Sequence, residues 1–372
     1  MALVCCFLFS IVAWFCSFNN IYLHYYCWLA VCRGQSPTEL AGFAVTTFCI
    51  NTSSFKVGRV LPILQGSSMV PASCGELVQG TIGGTNFLVS CPVNWFSRVT
   101  VRLGFDLEDA YPANRIKTYL GVRRMLDMKG FSDYGAVLKV SSSIPVGKGM
   151  ASSTADLAAG CFAAAAAIEA KPDPHEIAAI ALAVEPSDAT FFPGIVLFDH
   201  VQGKLYEELG QALPLGIIAL DFGGIVDTLE FNSRGDLSAW NSSHECEIGQ
   251  ALELVKAGIA RKDPVLLGKG ATLSALVNQG ILPKSRLEEL IDFTSRYGAY
   301  GVNVAHSGTV AGVLVPPGGE GNNSLVSSII KHFPEVKAYY PLSLVGGGPR
   351  YPGRAWEKEE GNHAETPTWW KS

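Results

Sequence analysis

The sequence has no lysine- or arginine-rich run, and its formal net charge is −5. That excludes the electropositive face with which a nucleic-acid binder makes its phosphate contacts. It also has no CxxC pair and no histidine at zinc-ligand spacing, so no structural metal is expected. Cysteine is unevenly spread: Cys5, Cys6, Cys16, Cys27, Cys32 and Cys49 precede residue 50, and only Cys74, Cys91, Cys161 and Cys246 follow. The body therefore reads as a reduced, cytoplasmic chain. Asp, Glu, Lys and Arg are all missing from the first 32 residues. The stretch MALVCCFLFSIVAWFCSF approaches the roughly 20 residues of a membrane span, yet it lacks the basic flank and cleavage site of a signal peptide. Three readings stand for residues 1–52: a start upstream of the real one, a membrane anchor, or a targeting or folded addition. Membrane association is expected only if this segment is real.

What is present is a long chain with 48% hydrophobic residues among 372, enough for a sizeable core and two ordinary domains. From about Val70 the pattern is that of an α/β protein. NFLVSCPVNWFSRVTVRL, AVLKVSSSI, GIVLFDH and LGIIALDFGG read as strands. Ala151 to Ala170 and HEIAAIALAVE read as helices, the second opened by PDP. SSHECEIGQALELVKAGIARKD, DPVLLGKGATLSALVNQ and SRLEELIDFTSRYG read as three more helices. AYGVNVAHSGTVAGVLVPP reads as two strands about a tight turn. From Gly346 the chain is polar and unpatterned, and 349–372 is expected to be a disordered tail.

The stretch IPVGKGMASSTADLAAG follows a strand and opens a helix, the setting in which free N–H groups and the helix dipole face an anion. It is not a Walker A loop, because the glycine register fails. It is not a dinucleotide fingerprint, because Ser152 stands at the third glycine position. Pro145 fixes the strand exit, and Gly147 and Gly149 let backbone approach a phosphate. Ser152, Ser153 and Thr154 can cap the helix or offer hydroxyls to phosphate or Mg²⁺. The bland alternative is a glycine turn with a serine cap.

PVGKGMASSTA resembles the second motif of the GHMP kinases (galactokinase, homoserine kinase, mevalonate kinase, phosphomevalonate kinase), with Met150 for the usual Leu and Thr154 for Ala. PASCGELVQG resembles their first motif, and NVAHSGTVAGVL lies where the glycine-rich third belongs. The resemblance spans roughly 70 to 348. Several phrases in order, among them LVSCPVNWFS, EPSDATFF, LFDH and GKGATLSAL, are similar to the members that phosphorylate L-threonine for cobalamin synthesis. The implied fold is α+β and two-lobed: a ribosomal-protein-S5-like ATP-binding lobe over 70–205 and a ferredoxin-like lobe over 206–348. The implied activity is ATP-dependent phosphorylation of L-threonine. Homoserine kinase activity and a catalytically silent nucleotide sensor are the alternatives.

The resemblance also implies roles. Pro145, Gly147, Lys148, Gly149, Met150, Ala151, Ser152 and Ser153 would surround the ATP phosphates. Ser153 and Glu185 would bind Mg²⁺, which suits a few carboxylate oxygens plus phosphate and water. Asp188 would take the acceptor's hydroxyl proton, or else only cap a turn. Ser73, Glu76 and His306 would contact a small hydroxy amino acid. Lys148 as a solvated loop lysine, Glu76 as an exposed strand end and His306 as a turn residue are the plainer readings. Cys74 is not expected to be a nucleophile, and Asp227 and Thr228 face the substrate only on family context.

Overall fold

The computed structural model describes residues 63–226 and 234–352. The expectations for residues 1–52, for Asp227 and Thr228, and for residues 353–372 lie outside the described residues. No helix among those described is long and apolar enough to cross a membrane.

Two long strands organise the molecule. β1 (Leu64–Ile82) and β2 (Thr85–Gly104) form a hairpin closed by Gly83 and Gly84, both at positive φ. Two consecutive left-handed residues match the twist of the flanking strands, and glycine adopts them without strain. The register slips between Pro71 and Ala72, between Ser73 and Glu76, and between Glu76 and Val78. Such bulges bend a strand and re-aim its side chains. The segment read as a first motif is therefore the irregular middle of a strand.

α1 (Ile116–Met128) and β3 (Gly135–Ser141) follow, and β3 pairs with the far half of β2. Next come α2 (Ser152–Ala167), α3 (Pro174–Leu182), β4 (Ile195–Phe198), β5 (Tyr206–Gly210) and β6 (Gly216–Asp221). α3 opens on a capping box between Asp173 and Glu176, with Pro174 at its first position. The later elements are α4 (Leu237–Ser243), α5 (Glu245–Arg261), α6 (Pro264–Asn278), α7 (Leu287–Ser295), β7 (Gly301–Val304), β8 (Val310–Val315), α8 (Asn323–His332) and β9 (Ala338–Ser343). The antiparallel sheet runs β5-β4-β2-β1-β7-β8-β6-β9. Its two halves meet through the pairing of Glu76 with Val304.

α2 is buried on nearly every side, which its small residues permit. Ser68 on β1 donates to the Ala159 carbonyl at 2.7 Å. A Cβ at Gly66 would lie 2.2 Å from the Ala163 carbonyl oxygen. One acid sits inside: Asp156 accepts from the Ser97 hydroxyl and pairs with Arg115 Nε at 3.1 Å. A second core joins β6, β7 and β8 to α7 and α8 through residues such as Leu220, Leu290, Val313, Ile329 and Phe333.

Residues 346–352, expected to begin a tail, pair instead. Met69 and Arg350 exchange backbone hydrogen bonds of 2.7 Å each way, and the Gly347 N–H donates to Gly194 at 2.8 Å. Polar composition misled here because these bonds need backbone only.

Gly66→Ala is expected to lower stability by about 1–3 kcal/mol, the usual cost of forcing an extra group into a packed interior. Urea unfolding of the variant beside the parent chain checks this.

Candidate active site

The loop from Gly147 to Ala151 is shaped by what happens to its carbonyls. Gly147 O accepts from Val226 N–H at 3.1 Å, and Lys148 O accepts from Thr309 at 3.0 Å and Val310 at 3.2 Å. Gly149 O accepts from Gly75 at 3.2 Å, and Met150 O from Ser73 at 3.1 Å. These four carbonyls are bonded, while among the described residues the amides from Gly147 to Ser153 donate to no backbone carbonyl. Gly147, Gly149 and Ala151 have φ of 70°, 79° and 53°. Alternating hand in this way gathers successive N–H groups into an anion-binding concavity. Ala151 adopts the left-handed region without glycine's freedom, a local cost of the kind found where function fixes the backbone. α2 starts at once, and no side chain caps it. The serine cap of the plainer reading is therefore absent, which leaves the first-turn amides and the helix dipole to an anion.

Backbone contact is close enough to require glycine. A Cβ on Gly149 would lie 2.2 Å from the Ala305 Cβ, and one on Gly308 would lie 2.2 Å from Gly149 N. The third motif thus braces the loop despite its modest glycine content. Lys148 is neither solvated nor on the cavity wall. Its Nζ sits 2.9 Å from Asp221 Oδ2 and 2.6 Å from the Gly224 carbonyl, while Thr309 Oγ1 donates to Asp221 at 2.8 Å. The side chain staples the loop to the end of β6.

The loop and the acids border one cavity of about 240 Å³. Gly147, Gly149, Met150, Ala151, Ser152 and Ser153 line it, with Glu76, Glu185, Asp188 and His306. Pro145, Lys148 and Ser73 do not. The Ser73 hydroxyl donates to Gly75 O at 2.6 Å and accepts from Cys91 N–H at 3.0 Å, so it is consumed in holding the bulge. Burial pushes the Cys74 thiol up to about 12, which removes the thiolate a nucleophile would need.

Ser153 Oγ donates to Glu185 Oε1, and Lys117 Nζ on α1 pairs with Glu185 Oε2. A hydroxyl and a carboxylate side by side form a small oxygen donor set that fits Mg²⁺ shared with phosphates and water. Among the described residues no group of three or more His, Cys, Asp and Glu could hold a metal by itself. Lys117 escaped sequence reading because a single lysine on an amphipathic helix carries no local mark.

Glu76 is 3% exposed rather than a free strand end. Burial, and then the charge of Asp188, raise its carboxyl well above the usual range. Burial also raises Asp188, but a hydrogen bond from Glu76 opposes the shift. The hydrogen bond between them raises Glu76 and lowers Asp188, so of the two Glu76 holds a proton the more firmly. His306 and, unforeseen, His200 line the same cavity with rings 4.9 Å apart.

Comparison with known proteins places these features in a family. Residues 114–193 match the model of the GHMP kinases N terminal domain, and residues 255–323 match that of the GHMP kinases C terminal. The chain is 36% identical over 248 residues to an L-threonine kinase of Citrobacter freundii, covering 66% of this chain and 84% of that protein. In structure it is similar to a homoserine kinase of Cytophaga hutchinsonii (TM-score 0.59, 18% identity, 77% of this chain and 97% of the other). It is likewise similar to a mevalonate diphosphate decarboxylase of Staphylococcus aureus (TM-score 0.60, 15% identity, 78% and 98%).

Gly308→Ala should push the third motif off the loop and weaken ATP binding by about tenfold or more, the effect of losing about 1.4 kcal/mol; titration calorimetry reads it. A second expectation concerns pH. Because Glu76 is raised in the folded chain, its contribution to stability is present below its ordinary 4.5 and is lost as pH rises toward the folded value. Glu76→Gln keeps a donor for Asp188 without that loss. Its unfolding free energy should fall less steeply above pH 4.5 than the parent's, as a urea series across pH would show.

Proposed function

The chain belongs to the GHMP kinases, and we propose that it transfers the γ-phosphoryl group of ATP to the hydroxyl of L-threonine. The observation that carries this reading is the pairing of buried Glu76 with half-buried Asp188 beside an uncapped helix start. It sets a proton acceptor next to an anion cradle inside one cavity. The likeness to an L-threonine kinase supplies the acceptor.

In this reading the amides from Gly147 to Ser153 hold the phosphates. Pro145 sets the strand exit, and Lys148 acts through Asp221 by keeping the loop in place. Ser153 and Glu185 would hold Mg²⁺, and Lys117 orients the Glu185 carboxylate. When bound, Mg²⁺ neutralises charge on the phosphates. Asp188, ionised because Glu76 keeps the shared proton, accepts the proton of the threonine hydroxyl. The threonine oxygen forms its bond to the γ-phosphorus as the bond to the ADP oxygen breaks. The single negative charge of the pair also suits the ammonium group of an amino acid. His306, on the same wall, is a substrate contact.

The two lobes are taken to divide near residues 205 and 206. We place the reaction in the cytoplasm, consistent with free thiols at Cys74, Cys91 and Cys161. Its product would serve the aminopropanol linker of cobalamin.

ADP release by the full chain with ATP, Mg²⁺ and a panel of L-threonine, L-serine, L-homoserine, mevalonate and galactose tests the proposal. Selective turnover of L-threonine, with phosphothreonine seen by phosphorus NMR, is expected. Preference for another alcohol, or silence despite ATP binding, overturns it. Asp188→Asn should lower kcat by about 100-fold or more while ATP binding is largely kept.

A further inference from the structure

We propose that His200 recognises the carboxylate of the acceptor, so that the cavity selects α-amino acids over simpler amino alcohols. The inference rests on the reading of this cavity as the site of an amino-acid kinase. It adds a residue and a selectivity that this reading does not contain.

His200 follows β4 and is fixed from two sides. Its carbonyl accepts from the Ser187 N–H at 3.0 Å, one residue before Asp188. On the other side Asp199 ties down the following turn. Its Oδ1 accepts from the amides of Val201 at 3.0 Å and Gln202 at 2.9 Å, and its Oδ2 from that of Lys204 at 3.1 Å. The imidazole therefore has a backbone position set by the same segment that carries the proposed proton acceptor.

The side chain itself is incomplete. His200 is 5% exposed and lines the cavity, yet its buried Nδ1 has no hydrogen-bond partner. A polar atom left so costs on the order of 1–3 kcal/mol. A core histidine ordinarily avoids that cost by bonding to backbone or to a side chain. A ligand oxygen would satisfy it.

The surroundings say which oxygen. His306 packs edge to face against His200, and buried Lys284 lies close enough to lower the proton affinity of His306. Burial lowers His200 to about 4 and Lys284 to about 8, so at neutral pH the imidazole is uncharged and the amine still mostly cationic. Two imidazoles backed by a cation favour an anion. The Glu76–Asp188 pair in the same cavity favours a cation. A zwitterion that also bears a hydroxyl answers both, and Leu88 on the wall is apolar enough to receive a methyl group. A site built around such a bond rejects an analogue lacking the partner, because its own polar group is then left unpaired.

The test compares L-threonine with L-threoninamide, which keeps the hydroxyl, the methyl and the ammonium but loses the carboxylate charge. The parent chain should prefer L-threonine in kcat/KM by about 10- to 100-fold, the range of a hydrogen bond to a charged group. His200→Gln and His200→Asn should erase most of that preference through KM for L-threonine, with KM for ATP unchanged. Equal use of both compounds by the parent chain overturns the inference. So does an equal loss on both compounds in the variants. Circular dichroism identifies a variant that has not folded, and the other replacement then decides. Failure of the parent chain to phosphorylate L-threonine at all is a separate outcome: it sinks the functional reading and this inference with it.

Discussion

Everything at this site depends on backbone meeting backbone. Three stretches far apart in the chain, around Gly75, Gly149 and Gly308, touch without side chains between them. A Cβ at any of the three would lie within 2.6 Å of a neighbouring heavy atom. The contact is not filler. Each approach delivers an amide from β1 or β8 to a carbonyl of the loop, and each carbonyl so captured turns its own peptide unit's N–H the other way. The anion cradle is thus made by removing acceptors rather than by adding donors. The bulge in β1 belongs to the same device. Without its register slips Gly75 would not reach the loop, and Glu76 would not turn inward beside Val304.

The second constraint is low solvent exposure around two acids. Burial raises Glu76 and Asp188 together, and mutual repulsion forbids both charges at once. The hydrogen bond between them resolves the competition by leaving the proton on Glu76. This arrangement is costly for folding, since ionising either acid would be easier in water. It gives in return a carboxylate whose position is fixed by its partner. The same burial keeps His200 uncharged, which allows a ring nitrogen to act as a neutral donor beside the acids.

How much of this was legible depended on whether the signal was local. The loop could be read because glycine, lysine and serine at short spacing between a strand and a helix carry their meaning within ten residues. The helix periods of Glu245–Arg261 and Pro264–Asn278 were visible for the same reason. The side-chain pairing of Lys148 is not legible in sequence, because its partner, Asp221, is 73 residues away and nothing near either residue marks the pair. The exposed strand end that was the plainer reading of Glu76 could not be excluded from sequence, because a bulge, unlike a turn, leaves no compositional trace. Ser73 looked like a contact, but its hydroxyl is spent on Gly75 and Cys91. α1, and Lys117 with it, leaves little mark in the sequence because its apolar positions are diluted by charge. His200 ends the LFDH phrase without any mark of its role, and its missing partner appears only once the cavity is closed around it.

The fold itself leaves the acceptor open. A homoserine kinase and a mevalonate diphosphate decarboxylase share this architecture at 18% and 15% identity, so the discriminating groups must be side chains on the cavity wall. Charge bookkeeping shows how few they are. Lys148 is neutralised by Asp221, and Glu185 by Lys117. On the phosphate side that leaves amides and a helix dipole, which hold phosphate oxygens but supply no full charge. A divalent cation, if Ser153 and Glu185 were to hold one, would supply that charge. On the acceptor side one negative charge remains on the Glu76–Asp188 pair, with the imidazoles beside it. The two ends of the cavity therefore ask for different things. One wants a polyanion bound by backbone. The other suits a small dipolar molecule bound by side chains, and that difference in binding chemistry tells the two ends of the cavity apart.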